Sequence, residues 1–297
     1  MAGWRTVLVS KPCKLSLKQL QLVYAPHEEA PIKVPLEDIT VIVLETTKAV
    51  ITTALLSKIA EKNIALFSCD DYHTPNGLFT PFHQHSRLSQ IAHLQQKVKE
   101  PLKKRLWQKI IKQKLSNQAA CLSAFKIDNS ALVRLKTHVR SGDSDNLEAY
   151  GARLYWGALF KTFRRDQKAY DPINVALNYG YAIVRGAVAR SLVSFGLLPT
   201  FGLFHRSELN AYNLADDIIE PLRPVVDMLV KKLALEERLD ADLGVPIKSE
   251  LLGVLNEEML LGDKKVSLLY VCDVMAKTLV KSMRETDVSL LKLPEIL

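Results

Sequence analysis

The apolar residues of this chain change period near residue 85, and that switch limits the fold more than any other feature. Upstream, short β-branched or alternating runs at 6–10, 19–24, 32–36 and 40–44 are separated by lysine, proline and acidic turns, which predicts strands. Residues 50–62 have helical spacing, and 64–68 read as a further buried strand. The stretch DDYHTPNGLFTPF (70–82) carries Pro75, Asn76-Gly77 and Pro81, turn signals that suggest a linker. Downstream, Ile91, Leu94, Val98, Leu102, Leu106 and Ile110 recur three or four apart, an apolar stripe on a helix that Pro101 should kink. Further helices are predicted over 147–161, 173–195 with Gly196 as C-cap, 209–220, 222–239, 249–261 and 266–283. The expectation is an α+β chain, with a small N-terminal β domain and linker (1–82) before a larger all-helical domain (83–297).

Length and composition agree with a globular protein that has a substantial core, since nearly half of the 297 residues are apolar. Cys13, Cys69, Cys121 and Cys272 are far apart and form no C-x-x-C pair, which argues against a zinc ribbon or disulfide framework. A reducing cytoplasm is the simpler expectation. The N-terminus turns polar too early for a signal peptide, and the most apolar run, 175–195, contains Arg185 and Arg190. No membrane span is expected.

Charge is unevenly distributed. Between Arg87 and Arg140, thirteen Lys and Arg face Glu100 and Asp128, a net of +11 that leaves −3 for the rest of the chain. Solvated helix faces usually mix both signs, so a one-sided segment points to phosphates. Arg87 and the helix running to Lys114, with Lys97, Lys103, Lys104, Lys109 and Lys112, are the candidates for a DNA backbone. Tyr72 and His73 could touch DNA or decorate the linker. His83, His85 and His93 have near-metal spacing but no carboxylate beside them, and read as solvated.

The segment GLFHRSELNAYNLADDIIEPLRP (202–224) sets His205, Asp216, Asp217 and Glu220 among apolar residues. Charge is costly to bury unless it is paired or binds something. Glu220 follows Asp216 by four residues and Asp217 by three, so either aspartate can share a helix face with it, and Pro221 places Glu220 at a helix end. Hard oxygen donors with one imidazole suit a divalent metal acting on phosphodiesters. The bland alternative has solvated aspartates, a Glu220–Arg223 pair and a satisfied core histidine. A third donor is offered by SGDSDNLEAYGARLYW (141–156), where Glu148 opens a helix rich in small residues. There Asp145, three residues before Glu148, resembles a capping box, and by its frequency that reading prevails on spacing alone.

The blocks EAYGAR from Glu148, NVALNYGY (174–181) and GLLPTFGLFH…ADDIIEPLRP (196–224) resemble, in order and spacing, those of the CRISPR adaptation integrase family. VPLEDITVIVLE (34–45) is similar to that family's β-domain signature, and HQHSRLSQ (83–90) to its inter-domain segment; RTVLVSKPCKLSLKQLQLV (5–23) looks most like members from type II systems. The resemblance covers most of the chain. It implies a β-sandwich-like N-terminal domain, a helical catalytic domain, and metal ligands at Glu148, His205 and Glu220, the last often aspartate in relatives. It places a supporting acid at Asp217 or Asp216, with Asp217 favoured. It also implies Mg²⁺ or Mn²⁺ as cofactor, a homodimer, a small ferredoxin-like partner, and double-stranded DNA as both incoming fragment and repeat target. Other type II adaptation proteins follow as partners only if that subtype holds. The implied reaction joins a DNA 3′-OH into a repeat by transesterification. A structure-selective DNase using water at the same site, or a silent DNA-binding scaffold, are the competing expectations. In the NVALNYGY block, Asn178, Tyr179 and Tyr181 are explained at least as well by packing.

Overall fold

The structure is a computed structural model that describes residues 5–71, 75–81 and 85–297. Contacts divide the chain into two compact units, Met1–Ser86 and Arg87–Leu297. Tyr72, His73 and His83 lie outside the described residues.

The first unit contains β1 (Arg5–Val9), β2 (Cys13–Lys18), β3 (Gln21–Pro26), β4 (Ile32–Pro35), β5 (Ile39–Leu44), β6 (Ala49–Ile51), α1 (Thr53–Glu61), β7 (Ala65–Cys69) and β8 (Pro75–Phe79). They form two four-stranded sheets, β1-β5-β7-β8 and β4-β3-β2-β6. In the first, β1, β5 and β7 run parallel, β8 returns antiparallel, and α1 lies on the crossover from β5 to β7 that a parallel pair requires. Val9, Ile42 and Leu66 of that sheet share one core with Cys13, Leu15 and Leu22 of the other and with Leu55 and Ile59 of α1.

Two expectations change here. CKLSLK, where no strand was expected, is β2: Cys13 and Leu15 alternate inward between exposed or half-buried polar residues. Pro75–Phe79, expected as linker, is an edge strand, where a proline costs no ladder bond. The turn residues that suggested a loop are accommodated at that edge, and Asn76 Oδ1 accepts from Ser68 Oγ at 3.3 Å.

The second unit contains α2 (Leu88–Lys97), α3 (Glu100–Ala124), α4 (Ser130–His138), α5 (Leu147–Leu159), α6 (Pro172–Ser194), α7 (Asn213–Ile218), α8 (Arg223–Leu235), α9 (Val245–Gly253), β9 (Glu258–Leu261), β10 (Lys264–Ser267), α10 (Leu268–Glu285) and β11 (Glu295–Ile296). Helix α6 is buried on nearly every side and packs against α7, α8, α9 and α10, while α3 packs against α4, α5 and α8. Asp171 caps the start of α6 by accepting from the Asn174 amide at 3.0 Å, and Gly196, at φ +79°, follows its end as expected.

The helix expected to kink at Pro101 is instead two helices. The chain is extended at Lys99, and Pro101 lies in the first turn of α3, where its missing N–H costs nothing. Nor is this unit all-helical. The pattern over 249–261 fits a helix, but α9 stops at Gly253 and a hairpin follows. Gly262 (φ +64°) and Asp263 turn β9 into β10, and β11 pairs on the other edge of β9.

Candidate active site

Helix α3 carries a lysine where its apolar stripe should continue. Lys114 lies one turn beyond Ile110 and Ile111, and its side chain is 7% exposed. An ammonium at that depth needs partners, and it has two. Lys114 Nζ contacts Glu148 Oε1 on α5 and stands 2.5 Å from Glu220 Oε2. Burial opposes its charge, but the two carboxylates prevail and hold its pKa above the ordinary lysine value.

Glu148 reaches this position because another acid caps its helix. Asp143 accepts from the amides of Leu147 and Glu148, each at 2.9 Å. Asp145 pairs instead with Arg140, at 2.7 and 3.0 Å. The capping box suggested by the spacing therefore does not form, and the Glu148 carboxylate points elsewhere. Gly151, one turn further, lets α5 approach α3, since a Cβ there would meet Leu115 Cδ2 at 2.5 Å.

Glu220 sits between α7 and α8, as Pro221 predicts. Asn117 of α3 donates to the Pro221 carbonyl at 2.7 Å, pinning the turn one helical step from Lys114. Arg223 Nε donates to Glu220 Oε1 at 2.7 Å. Burial alone would raise the Glu220 pKa, but Arg223 and Lys114 hold it down at about 2, so the carboxylate is ionised. The expected Glu220–Arg223 pair is present, together with an additional cation.

His205 belongs to a non-helical segment with many anchors. Buried Gln95 of α2 donates to the carbonyls of Leu198 and Phe201, both at 2.9 Å, and accepts from the Leu198 amide at 3.0 Å. Phe204 stacks on Trp107 of α3 at 4.4 Å, and the His205 ring meets Trp107 edge-on at 5.8 Å. Asp217 is fully buried beneath the segment: its carboxylate accepts from the amides of Leu203, Phe204 and His205 and lies 2.7 Å from His205 Nδ1. That bond is the main cause of a raised imidazole pKa, opposed by burial and aided by the charges of Asp217, Glu220 and Asp216. With Nδ1 engaged by a carboxylate, Nε2 is the nitrogen left for a ligand.

The two neighbouring aspartates have different surroundings. Asp216 forms a forked pair with Arg185, at 2.6 and 2.8 Å, and accepts from Asn210 at 2.6 Å. Only Asp217 touches His205.

Behind Glu220 lies a buried network that the sequence reading missed. Asp227 of α8 accepts from the hydroxyls of Tyr155, at 2.9 Å, and Tyr181. Burial raises its pKa to about 7 against the opposing hydroxyl bonds and the charges of Arg223 and Lys114. Arg223 and Arg165 both stack over the Tyr181 ring, at 4.7 and 5.4 Å. Asn178 accepts from Arg165 at 2.6 Å, and Tyr179 is buried, so this block builds the support of the site.

The basic residues expected to face DNA occupy varied positions. Arg87 starts α2, Lys97 is exposed at its end, and Lys104 is exposed with its stem beneath Gly142. Lys103 Nζ lies 3.6 Å from Glu100, and Lys112 is half-buried. Lys109 donates to the carbonyls of Val288 and Ser289 at 3.0 and 3.1 Å, and burial lowers its pKa. His93 and Lys97 line a surface hollow with Arg284.

Among the described residues, no three His, Cys, Asp or Glu side chains gather closely enough to enclose an ion. Instead, two carboxylates from distant parts of the chain converge on one cationic group, with an oriented imidazole nearby. Anionic oxygens with a single nitrogen donor suit Mg²⁺ or Mn²⁺, and the imidazole tilts preference toward Mn²⁺. The donor types therefore suit such an ion by their chemistry, while the Lys114 ammonium stands between the two carboxylates.

The family model "CRISPR associated protein Cas1" matches residues 6–243. A CRISPR-associated endonuclease Cas1 from Neisseria meningitidis is 44% identical over 99% of this chain and 97% of its own length. Among solved structures, a casposase bound to integration product is similar in fold, with a TM-score of 0.80 and 18% identity over 96% of this chain and 93% of that one. A chain of a Cas6–RT–Cas1–Cas2 complex matches with a TM-score of 0.76 and 19% identity, covering 99% of this chain and 36% of that one. No helix among the described residues is long and apolar enough to cross a membrane. By the family match and the near full-length relative, this chain belongs to the Cas1 family of CRISPR-associated proteins.

Proposed function

We propose that this chain is a metal-dependent DNA integrase and endonuclease of CRISPR adaptation. The observation that carries this reading is the convergence of Glu148 and Glu220 on one cation beside His205, whose ring is oriented by Asp217. Family membership and fold similarity to a casposase bound to integration product support it.

Glu148, His205 and Glu220 would hold Mg²⁺ or Mn²⁺, which supplies Lewis-acid stabilisation to the attacked phosphodiester. Asp217 fixes the His205 ring, Arg223 keeps Glu220 ionised, and Asp143 frees Glu148 from capping. The 3′-OH oxygen of an incoming DNA end attacks phosphorus in the target strand. One P–O bond forms, the bond to the target's 3′ oxygen breaks, and that oxygen takes up a proton. The number of phosphodiesters is unchanged, so no covalent enzyme intermediate or energy source is required. Water in place of the 3′-OH gives hydrolysis, which the relative's designation as an endonuclease favours as a second activity.

Exposed Lys97 and Lys104 and half-buried Lys103 and Lys112 are proposed backbone contacts, with Arg87; each phosphate neutralised adds about 0.9 to the log–log salt slope on duplex DNA. Similarity to a chain from a complex containing Cas2 supports a small adaptation partner of that kind. A homodimer and a type II setting complete the proposal. The test is strand transfer from a labelled 3′-OH duplex into a repeat-bearing plasmid with Mn²⁺ and the partner, wild type beside Glu220→Ala. Joined product in wild type alone, with DNA binding kept in both, is expected. Cleavage without joining selects the nuclease, and binding without either reaction selects a scaffold.

A further inference from the structure

Lys114 has no place in the usual description of a metal-dependent phosphodiesterase, which needs carboxylates and leaves positive charge to the ion. Yet it is buried, contacts Glu148, and stands 2.5 Å from Glu220, joining α5 to the turn between α7 and α8. Its helix is fixed independently of that contact. Leu115 packs beneath Gly151 of α5, and Asn117 holds the Pro221 and Pro294 carbonyls. The ammonium is thus carried to the two carboxylates by packing and hydrogen bonds elsewhere on α3.

From this geometry we infer that Lys114 is a built-in counter-ion, holding the Glu148 and Glu220 carboxylates together before metal arrives and competing with the divalent cation for them. The inference rests on Glu148, His205 and Glu220 being the metal ligands. Without Lys114, two carboxylates would be drawn together with Arg223 alone to offset them, and Arg223 engages only Glu220. Like charges at such range repel strongly in a partly dry site. With Lys114, the two carboxylates face a cation already in place, and an incoming ion must displace that ammonium. The lysine therefore exchanges metal affinity for a preassembled site. It is a positioning residue, acting through the ligands.

The test uses the full chain stripped of metal and titrated with Mn²⁺, following free Mn²⁺ by electron paramagnetic resonance and unfolding by thermal denaturation. Lys114→Met keeps the stem and removes the charge. It should unfold at lower temperature without metal, bind Mn²⁺ at least about tenfold more tightly, and gain more thermal stability from Mn²⁺ than wild type does. His205→Ala serves as the control for the ligand assignment. If it leaves Mn²⁺ affinity unchanged, the ligand reading fails, whatever Lys114→Met does. If it weakens binding while Lys114→Met binds no more tightly than wild type, the counter-ion role fails and the ligands stand. Lys114→Gln covers the case where Lys114→Met does not fold: recovery of either variant by Mn²⁺ supports the proposal, and failure of both to fold even with Mn²⁺ contradicts it.

Discussion

His205 Nδ1 lies 2.7 Å from Asp217 Oδ1, and the same buried carboxylate gathers the amides of residues 203–205. Asp217 therefore sets both the ring's orientation and the backbone that carries it. Asp216, one residue earlier, is turned to Arg185.

That division separates two residues which spacing leaves equivalent. Asp217→Asn places an amide where four donors converge, so it should cost about 1–3 kcal/mol of stability and about 10–100-fold in Mn²⁺ affinity. Asp216→Asn should leave Mn²⁺ affinity within about threefold, because the aspartate's contacts do not include His205. Calorimetric titration of both variants decides it, and equal losses would count against the assignment.

Gly202 lies where a side chain cannot fit. A Cβ there would meet the His205 carbonyl oxygen at 2.2 Å and Asp217 Oδ2 at 2.9 Å. Gly202→Ala should displace the His205 segment, lower stability by about 1–3 kcal/mol and reduce strand transfer. Unchanged denaturation and activity would show that the segment can shift without consequence.

Asp227 gives the fold a pH dependence of unusual sign. A free carboxyl titrates near about 4, whereas burial raises Asp227 to about 7 despite the bonds from Tyr181 and Tyr155. Between those values the folded protein holds more protons than the unfolded chain, so this group's contribution to stability falls as pH rises from acid to neutral. Asp227→Asn removes that contribution. From about pH 5 to about pH 8, wild type should lose roughly 2 kcal/mol relative to the variant in urea unfolding; a constant difference would be the contrary result.

The close contact of α6 with α8 rests on Gly180, where a Cβ would meet Val226 Cγ1 at 2.5 Å. Gly180→Ala should cost about 1–3 kcal/mol by overpacking. Adding Val226→Ala should recover part of that loss, whereas additive destabilisation would place the strain elsewhere.

Much of this organisation is legible in the chain because apolar period and turn chemistry act locally. The switch to helical spacing after His85 and the end of α6 at Gly196 follow from neighbouring residues, and Pro101 marks a helix start, although not the kink its position suggested. Glu148, His205 and Glu220 were legible as candidates, but their convergence was not. It depends on α3 and α5 meeting through Gly151 and on Asp143 displacing Asp145 as the cap. Lys114 left a readable signal, a charge on the apolar stripe one turn past Ile110, which was hidden by its place in a uniformly basic segment. The hairpin at 258–267 was obscured because its leucines fit a helix equally well until Gly262 turns the chain.

The most direct measurement is a crystal structure of the protein with Mn²⁺, read by the anomalous signal of the metal. One peak is expected in contact with Glu148, His205 and Glu220, with the Lys114 ammonium withdrawn from between the two carboxylates. A peak elsewhere, with Lys114 still joining Glu148 and Glu220, would contradict it.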